Sequence, residues 1–485
     1  MRIELFNTLS HQLEPFEPLQ PKLVRMYTCG PTVYDYAHIG NMRAFLCADL
    51  LQRVLRVVGG YQVRWVMNIT DIDDKTIRGS APGSPLWRPE MGEQTDDPLE
   101  NLRRYTRFYE QAFLEDIARL HIRREDLFAL PRATEYIEPM QELVRRIVAR
   151  GFGYVAAGSV YFDLSAWRQV ARYGRLLPID PAHIKPGARV DADQYEREEV
   201  SDFVLWKGRK PGEPFWDFEL NGQQLPGRPG WHLECSAMEY TLLGLPFDIH
   251  TGGIDLRFPH HEDEIAQSMA GYGIDPTRFW VHNEFLEVEG QKMSKSLGNF
   301  FTLRDLIARG LDPLDIRFAL LQAHYRLPFN FTFAGVEAAR RARQRVQEYI
   351  YQLHEPAPPD GLSVEVAAVR AEVFGHLAQD LHTPKAFAAF FRFLNATPAA
   401  ELDAESRRQL LHFLSEFNLI VDVWEIAPRT PRQQDIPAEI RELAEKRWQL
   451  RLQRRYAEAD ALRERIQRAG YVIKDLRDGY ILEPL

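Results

Sequence analysis

The spacing of apolar and polar positions changes along the chain, and the changes mark its elements. LVRMYTCG (23–30) is a short β-branched run closed by Gly-Pro. AFLCADLLQRVLRVVG (44–59) places its apolar residues at helical spacing and ends on glycine, and YQVRWVMNIT (61–70) is a second strand-like run. Strand, helix and strand in this order predict a βαβ unit and a parallel sheet. Such sheets bind ligands at the carboxyl ends of their strands, so chemistry is expected where the first strand stops.

Residues 79–98 form a turn-rich loop, and a helical segment follows over roughly 99–120. From 121 to 230 short strands such as SVYFDLSAW mix with helices, which suggests an insertion. IARGLDPLDIRFALLQAHYR and EAARRARQRVQEYIYQL open a helical region interrupted by two linkers, HEPAPPDGL (354–362) and APRTPRQQDIP (427–437). The tail pairs a basic helix over 441–468 with GYVIKDLRDGYILE, an expected hairpin. The fold class expected is α/β: a Rossmann-like parallel-sheet catalytic domain split over 1–120 and 231–304, an inserted connective domain over 121–230, a helical bundle over 305–425, and a small C-terminal α+β domain over 431–485. There is no internal repeat.

Composition narrows the class. The 485 residues, 45% hydrophobic and 27% charged, suit a globular protein of about three domains. No apolar run reaches the roughly 20 residues of a membrane span, and MRIELFNTLSHQLEPFEP lacks the basic start and apolar stretch of a leader. Three cysteines argue against a disulfide framework and predict a reducing cytoplasm. Cys47 falls within the helical pattern and reads as a small buried hydrophobe. A net charge of −9 gives no global support for nucleic-acid binding. Residues 441–468, however, carry nine basic and five acidic side chains; on composition alone this is a solvated amphipathic helix.

Two short motifs carry the chemistry. H-I-G-N stands at 38–41, after the first strand, and K-M-S-K-S at 292–296. His38 can donate to phosphate oxygens, Gly40 leaves room for adenine or ribose against the backbone, and the helix start adds a positive dipole end. Lys292 and Lys295, on a glycine-flanked loop, can close over a leaving pyrophosphate. Together and in this order they point to nucleotide activation.

With YTCGPTVYD, NITDIDDK (68–75), PGWHLECSAM (229–238), DIHTGGIDLRFPHHEDEIAQS (248–268) and DLHTPKA (380–386), the chain resembles the class I aminoacyl-tRNA synthetases, and within them the cysteinyl-tRNA synthetase family, over nearly its whole length. The resemblance implies ATP-dependent activation of L-cysteine, with Mg²⁺ on the nucleotide, and transfer to tRNA(Cys). It implies a cytoplasmic, monomeric enzyme with no membrane partner. It assigns catalysis to His38, Asn41, Lys292 and Lys295, and ATP contacts to His38, Gly40, Asn41, Gly253, Asp255 and Lys295. Cysteine contacts fall to Thr70, Trp231 and His250, though a core histidine and a core tryptophan are the plain readings of the last two.

The resemblance also implies one Zn²⁺ per chain on Cys29, Cys235, His260 and Glu264. His260 and Glu264, at i and i+4, share a helix face, and thiolates with imidazole and carboxylate suit zinc. Spacing alone favours a satisfied histidine near a helix end. His261, Glu262 and Asp263 are then expected behind the ligands or facing solvent. Two departures stand out: Asn41 replaces the usual histidine, and His382 replaces the usual asparagine in a region expected to lie away from catalysis. In the tail, Trp448 or Tyr456 could stack on an unpaired base, with core packing favoured for Tyr456. Rival readings are a cysteine ligase of mycothiol synthesis, which lacks a full RNA-binding tail, and a non-catalytic tRNA-binding relative, against which the intact motifs speak.

Overall fold

The structure is a computed structural model that describes residues 1–178, 184–190, 200–293, 297–429, 436–453, 455–476 and 479–484. Among these, five parallel strands form the central sheet, in the order Thr277–Asn283, Phe247–Gly253, Leu23–Thr28, Gln62–Met67, Leu127–Ala129. A parallel sheet is covered on both faces and its strands therefore read as apolar runs; Val24, Met26 and Tyr27, and Trp65, Val66 and Met67, are all buried.

The helix Ile39–Val57 connects the third and fourth strands of this order. It begins five residues before the apolar pattern does, because His38 caps it. The His38 Nδ1 accepts from the Gly40 and Asn41 amides at 3.1 and 3.3 Å, and Asn41 Oδ1 accepts from the His38 amide at 3.2 Å. This is a reciprocal capping box built from histidine and asparagine.

The strand Leu127–Ala129 lies in the segment that the spacing assigns to the insertion, yet it pairs with Trp65 and Val66 as the edge strand of the parallel sheet. At three residues it is too short for any periodicity to declare itself. Beyond it, the helix Ile137–Ala149 shares a core with the helices Trp231–Leu243 and His260–Tyr272, and the antiparallel strands Gly153–Ala156, Ser159–Phe162, Val200–Gly208 and Gly227–Pro229 form a second sheet.

The helices Phe333–Leu353, Val366–Ala378, Thr383–Ala396 and Ala404–Val421 pack through Phe390, Phe413, Phe417 and Trp424. Residues 441–468 are not one helix. They form two, Ala438–Leu452 and Tyr456–Arg468. An unbroken helix would run about 42 Å and strand its apolar face; folded back, Leu450 meets Ala459 and Leu462. The strands Tyr471–Leu476 and Gly479–Pro484 form the expected hairpin, and Ile440, Ala444, Ile466, Ile473 and Leu482 share its small core. Tyr456 stands at the start of the second helix, 55% exposed, so core packing does not hold for it. Trp448 is half-buried, 6.1 Å from the Tyr480 ring. No helix among the described residues is long and apolar enough to cross a membrane.

Candidate active site and metal centre

Four elements converge where the central strands end. Cys29 follows the strand Leu23–Thr28, Asn68 and Thr70 follow Gln62–Met67, Cys235 lies one turn into the helix Trp231–Leu243, and His260 and Glu264 lie one turn apart at the start of His260–Tyr272. The ligand atoms of Cys29, Cys235, His260 and Glu264 all lie within 4.8 Å of one another, and all four residues are buried.

These distances can be tested against a tetrahedral ion. With metal–sulfur bonds of about 2.3 Å and metal–nitrogen bonds of about 2.0 Å, a sulfur–sulfur edge is about 3.8 Å and a sulfur–nitrogen edge about 3.5 Å. The Cys29–Cys235 Sγ separation is 3.8 Å, and Cys235 Sγ lies 3.5 Å from His260 Nε2. Cys29 Sγ is 3.7 Å from Glu264 Oε1. His260 Nε2 and Glu264 Oε1 are closer than an ideal edge, at 2.8 Å, because imidazolium and carboxylate hydrogen-bond there. The donor set and its spacing fit zinc.

A second quartet, Cys29, His250, His261 and Glu264, shares two of these residues. His261 Nε2 lies 3.3 Å from Cys29 Sγ, but His250 is committed to carboxylates. His250 Nε2 lies 2.8 Å from both Glu239 Oε1 and Glu264 Oε2. His261 Nδ1 lies 2.8 Å from His282 Nε2, whose other nitrogen is 2.9 Å from Thr8 Oγ1. The quartet with two thiols is therefore the better nest for an ion.

Electrostatics couple these side chains to one another. Burial raises the Cys235 thiol, but hydrogen bonds from Cys29 and His260 outweigh it and bring it down to about 7. Burial and the bond to Cys235 push Cys29 well up. Burial opposes charge on His260, yet Glu264 lifts it well above the usual imidazole range. His250 rises to about 10 in the same way, burial being overcome by Glu264 and Glu239. His261 goes the other way, lowered by burial and by the neighbouring His250 charge. A divalent ion held by these residues would take the place of the protons on Cys29 and His260.

The remaining expected residues divide into rim and foundation. The Trp231 ring lies over the His260 ring at 4.2 Å and is half-buried. His250 is wholly buried under the ligands, stacked on Trp280 at 4.4 Å, and holds Glu264 in place. The Thr70 hydroxyl is engaged by Asn68 and Glu234. His261, Glu262 and Asp263 are all buried, and none faces solvent. Glu262 accepts from the Gly174 amide at 3.0 Å and from that of Leu176, and Asp263 accepts from Tyr173 Oη at 2.5 Å, which ties the insertion to the ligand helix. Gly253 follows Thr251 and Gly252 at the sheet's end, with Asp255 exposed beside it.

The two motifs meet. The Ile39 amide donates to Phe301 O at 2.9 Å, the His38 ring lies edge-on to Phe300 at 4.9 Å, and a Cβ on Gly40 would stand 3.0 Å from Met293 Cε. Gly40 thus lets the second motif settle on the first. Because His38 Nδ1 accepts two amides, its proton sits on Nε2, turned away from the helix. Lys292 is exposed on the strand Gln291–Lys292, its carbonyl held by Asn299 Nδ2 at 3.1 Å. Lys295 lies outside the described residues.

A family model for the catalytic domain of class I (C) tRNA synthetases matches residues 15–341. The chain belongs to the class I aminoacyl-tRNA synthetases, on the cysteine–tRNA ligase branch. The family extends over the full length: the chain is 42% identical to the cysteine–tRNA ligase of Solibacter usitatus (strain Ellin6076), covering 99% of both, and 39% identical to that of Chlamydia trachomatis serovar A, covering 100% of both. Two solved structures share the fold at low identity. Mycobacterium tuberculosis methionyl-tRNA synthetase in complex with methionyl-adenylate has a TM-score of 0.56 at 17% identity, over 82% of this chain and 90% of that one. The LeuRS–tRNA–LeuAMS complex of Agrobacterium radiobacter has a TM-score of 0.55 at 12% identity, over 84% and 85%.

Residue spacing missed Asn68, Glu234, Glu239, His282 and Thr8. The first three lie within or beside quoted motifs, but their roles depend on contacts across the sheet. Thr8 and His282 carry no sequence signal, since each is a single polar residue whose partner is hundreds of positions away or in another strand.

Proposed function

We propose that the enzyme activates L-cysteine with ATP to cysteinyl-adenylate and transfers the cysteinyl group to the 3′ end of tRNA(Cys), reading the substrate thiol through Zn²⁺. The observation that carries this is the buried pair of thiols, 3.8 Å apart, with His260 and Glu264 beside them at the strand ends. Bound by Cys29, Cys235, His260 and Glu264, Zn²⁺ supplies a soft electrophile that accepts a thiolate and discriminates against the hydroxyl of serine. An apolar pocket alone would separate such neighbours by only about 1–3 kcal/mol.

The chain's own residues do the rest by position and charge. Trp231 walls the thiol pocket, and His250, itself paired with Glu239, meets the Glu264 carboxylate from below. Thr70 bounds the pocket on the side of the second strand. His38 Nε2, the protonated ring nitrogen, is assigned to the α-phosphate, and Asn41, whose Oδ1 serves the cap, offers its amide hydrogens to the nucleotide. Gly40 gives the adenosine its approach, and Gly253 and Asp255 offer the ribose hydroxyls a backbone edge and a carboxylate. Lys292 and Lys295 close over the pyrophosphate as charge builds there, with Mg²⁺ accompanying ATP. In the C-terminal domain, Arg441, Lys446, Arg451 and Arg463 supply phosphate contacts that position tRNA without specifying it, and exposed Tyr456 offers a face for an unpaired base.

The test is cysteine-dependent exchange of pyrophosphate into ATP with cysteine and serine side by side, together with metal content and charging of tRNA(Cys). The expected result is zinc-dependent exchange with cysteine, little with serine, and charging of the tRNA. Equal exchange with both amino acids, or full activity in metal-stripped protein, refutes the zinc reading; failure to charge tRNA refutes the acceptor.

A further inference from the structure

The two metal-ligand thiols come from segments 206 residues apart, and one short run of buried side chains joins those segments directly. The amide of Gly30, the residue after Cys29, donates to Asn68 Oδ1 at 2.8 Å. Asn68 Nδ2 donates to Thr70 Oγ1 at 3.1 Å. The Thr70 hydroxyl donates to Glu234 Oε2 at 3.0 Å. Glu234 is the residue before Cys235, and Cys235 Sγ itself packs 3.8 Å from Asn68 Oδ1. Asn68, Thr70 and Glu234 are each buried.

The direction of every bond in this run is set. The Gly30 amide can only donate, so it fixes which end of the Asn68 side chain is oxygen. The Asn68 amide nitrogen can only donate, so Thr70 Oγ1 must pass its own proton on, and Glu234 receives it. Backbone contact reinforces the run: a Cβ on Gly30 would stand 1.7 Å from Asn68 O, and the Thr70 amide donates to Pro31 O at 3.0 Å.

We infer that Asn68, Thr70 and Glu234 are positioning residues, a brace that sets the separation of the Cys29 and Cys235 thiols and so the grip on the metal. The inference rests on the zinc reading above. Thr70 is the link whose loss is cleanest. Thr70→Val keeps its shape, removes the hydroxyl, and disconnects Asn68 from Glu234, whereas Thr70→Ser keeps the link. Groups that orient metal ligands typically account for about 10–100-fold in metal affinity.

The experiment uses full-length protein loaded with zinc or with Co²⁺. For Thr70→Val we expect zinc to pass to a chromogenic chelator at least about tenfold faster than from the parent. We also expect the sulfur-to-cobalt charge-transfer band to weaken or move, and the KM for cysteine to rise while the KM for ATP stays unchanged. Thr70→Ser should restore all three. Asn68→Ala, which cuts both arms without adding charge, gives the same reading if Thr70→Val does not fold. A folded Thr70→Val or Asn68→Ala protein with parental zinc release and an unchanged cobalt spectrum overturns the brace while the zinc reading stands. A parent protein that binds neither metal overturns both.

Discussion

Arg317, fully buried in the helix Pro313–Leu321, places one guanidinium nitrogen 2.8 Å from Asp49 Oδ2, in the helix that starts at the His38 motif. Arg317 also donates to Leu120 O and Val421 O, both at 2.7 Å, while Arg53 joins Asp49 to Asp422 at 2.8 and 3.0 Å. One ionic cluster thus bolts the catalytic helix to the helix Ala404–Val421. Removing one partner of a buried pair strands the other charge. Asp49→Leu should cost about 3–5 kcal/mol in urea unfolding, and Asp49→Leu with Arg317→Leu should recover part of it. A single-variant cost under about 1 kcal/mol would place the pair among solvent-screened contacts and contradict this account.

The same cluster makes stability depend on pH. Burial works against charge on Asp422, but His121 and the Arg53, Arg317 and Arg123 guanidiniums hold its carboxyl well below the ordinary 3.8. Because the folded value is the lower one, the stabilisation is fully present above the ordinary carboxylate range and drains away as pH falls below it. Asp422→Asn should lower stability at neutral pH and flatten the acid limb of a stability–pH curve. Asp422 sits at φ 52°, a conformation asparagine tolerates, so the change isolates the charge.

His38 has two duties that substitution can separate. His38→Asn retains a side-chain cap for Ile39–Val57 but withdraws the Nε2 donor. Cysteine-dependent pyrophosphate exchange should lose about 10²–10³ in kcat with the thermal midpoint little changed. His38→Ala should lose the same rate and about 1 kcal/mol of stability besides. A kcat near the parent's in His38→Asn would remove the imidazole from the phosphate site.

For the metal, the intact protein should carry about one zinc per chain, as a single nest of four donor residues implies. Cys235→Ser should lose it, and cysteine activation should fall by more than the roughly hundredfold expected of an outer contact. Plasma emission for metal and exchange for activity give the two readings.

Tyr456 is testable independently of the catalytic centre. Loss of a stacked base is worth about 1–3 kcal/mol, so Tyr456→Ala should weaken tRNA binding by about 5–150-fold while leaving pyrophosphate exchange intact. Binding should also weaken steeply between about 50 and 200 mM salt; an affinity indifferent to both would take the C-terminal domain out of RNA recognition.

The parts of this fold that could be read from the chain are those whose physics is local. The strands around Val24 and Trp65 announce themselves because both faces are buried, and the helix between them because its apolar residues recur at helical spacing. The apolar pattern begins late, at 44, since a histidine cap has no apolar signature, whereas the H-I-G-N motif marks the helix start near residue 40. Leu127–Ala129 was misplaced because three residues hold no period. The break between Leu452 and Tyr456 was missed because neither glycine nor proline marks it; only the packing of Leu450 on Leu462 requires it. In the site, His260 and Glu264 were legible as neighbours on one helix face. Cys29 and Cys235 became a pair only through resemblance, and Asn68, Glu234 and Glu239 only through tertiary contact.

The distance along the chain between the two thiols has a consequence for biosynthesis. A ribosome adding about 5–20 residues per second delivers Cys29 roughly 10–40 s before Cys235, given the 206 positions between them, and the imidazole and carboxylate emerge later still. No nascent fragment short of Glu264 can assemble the full coordination set. On the proposed zinc reading, loading is therefore a late event in the life of each new molecule, and until then its first sulfhydryl waits without its partners.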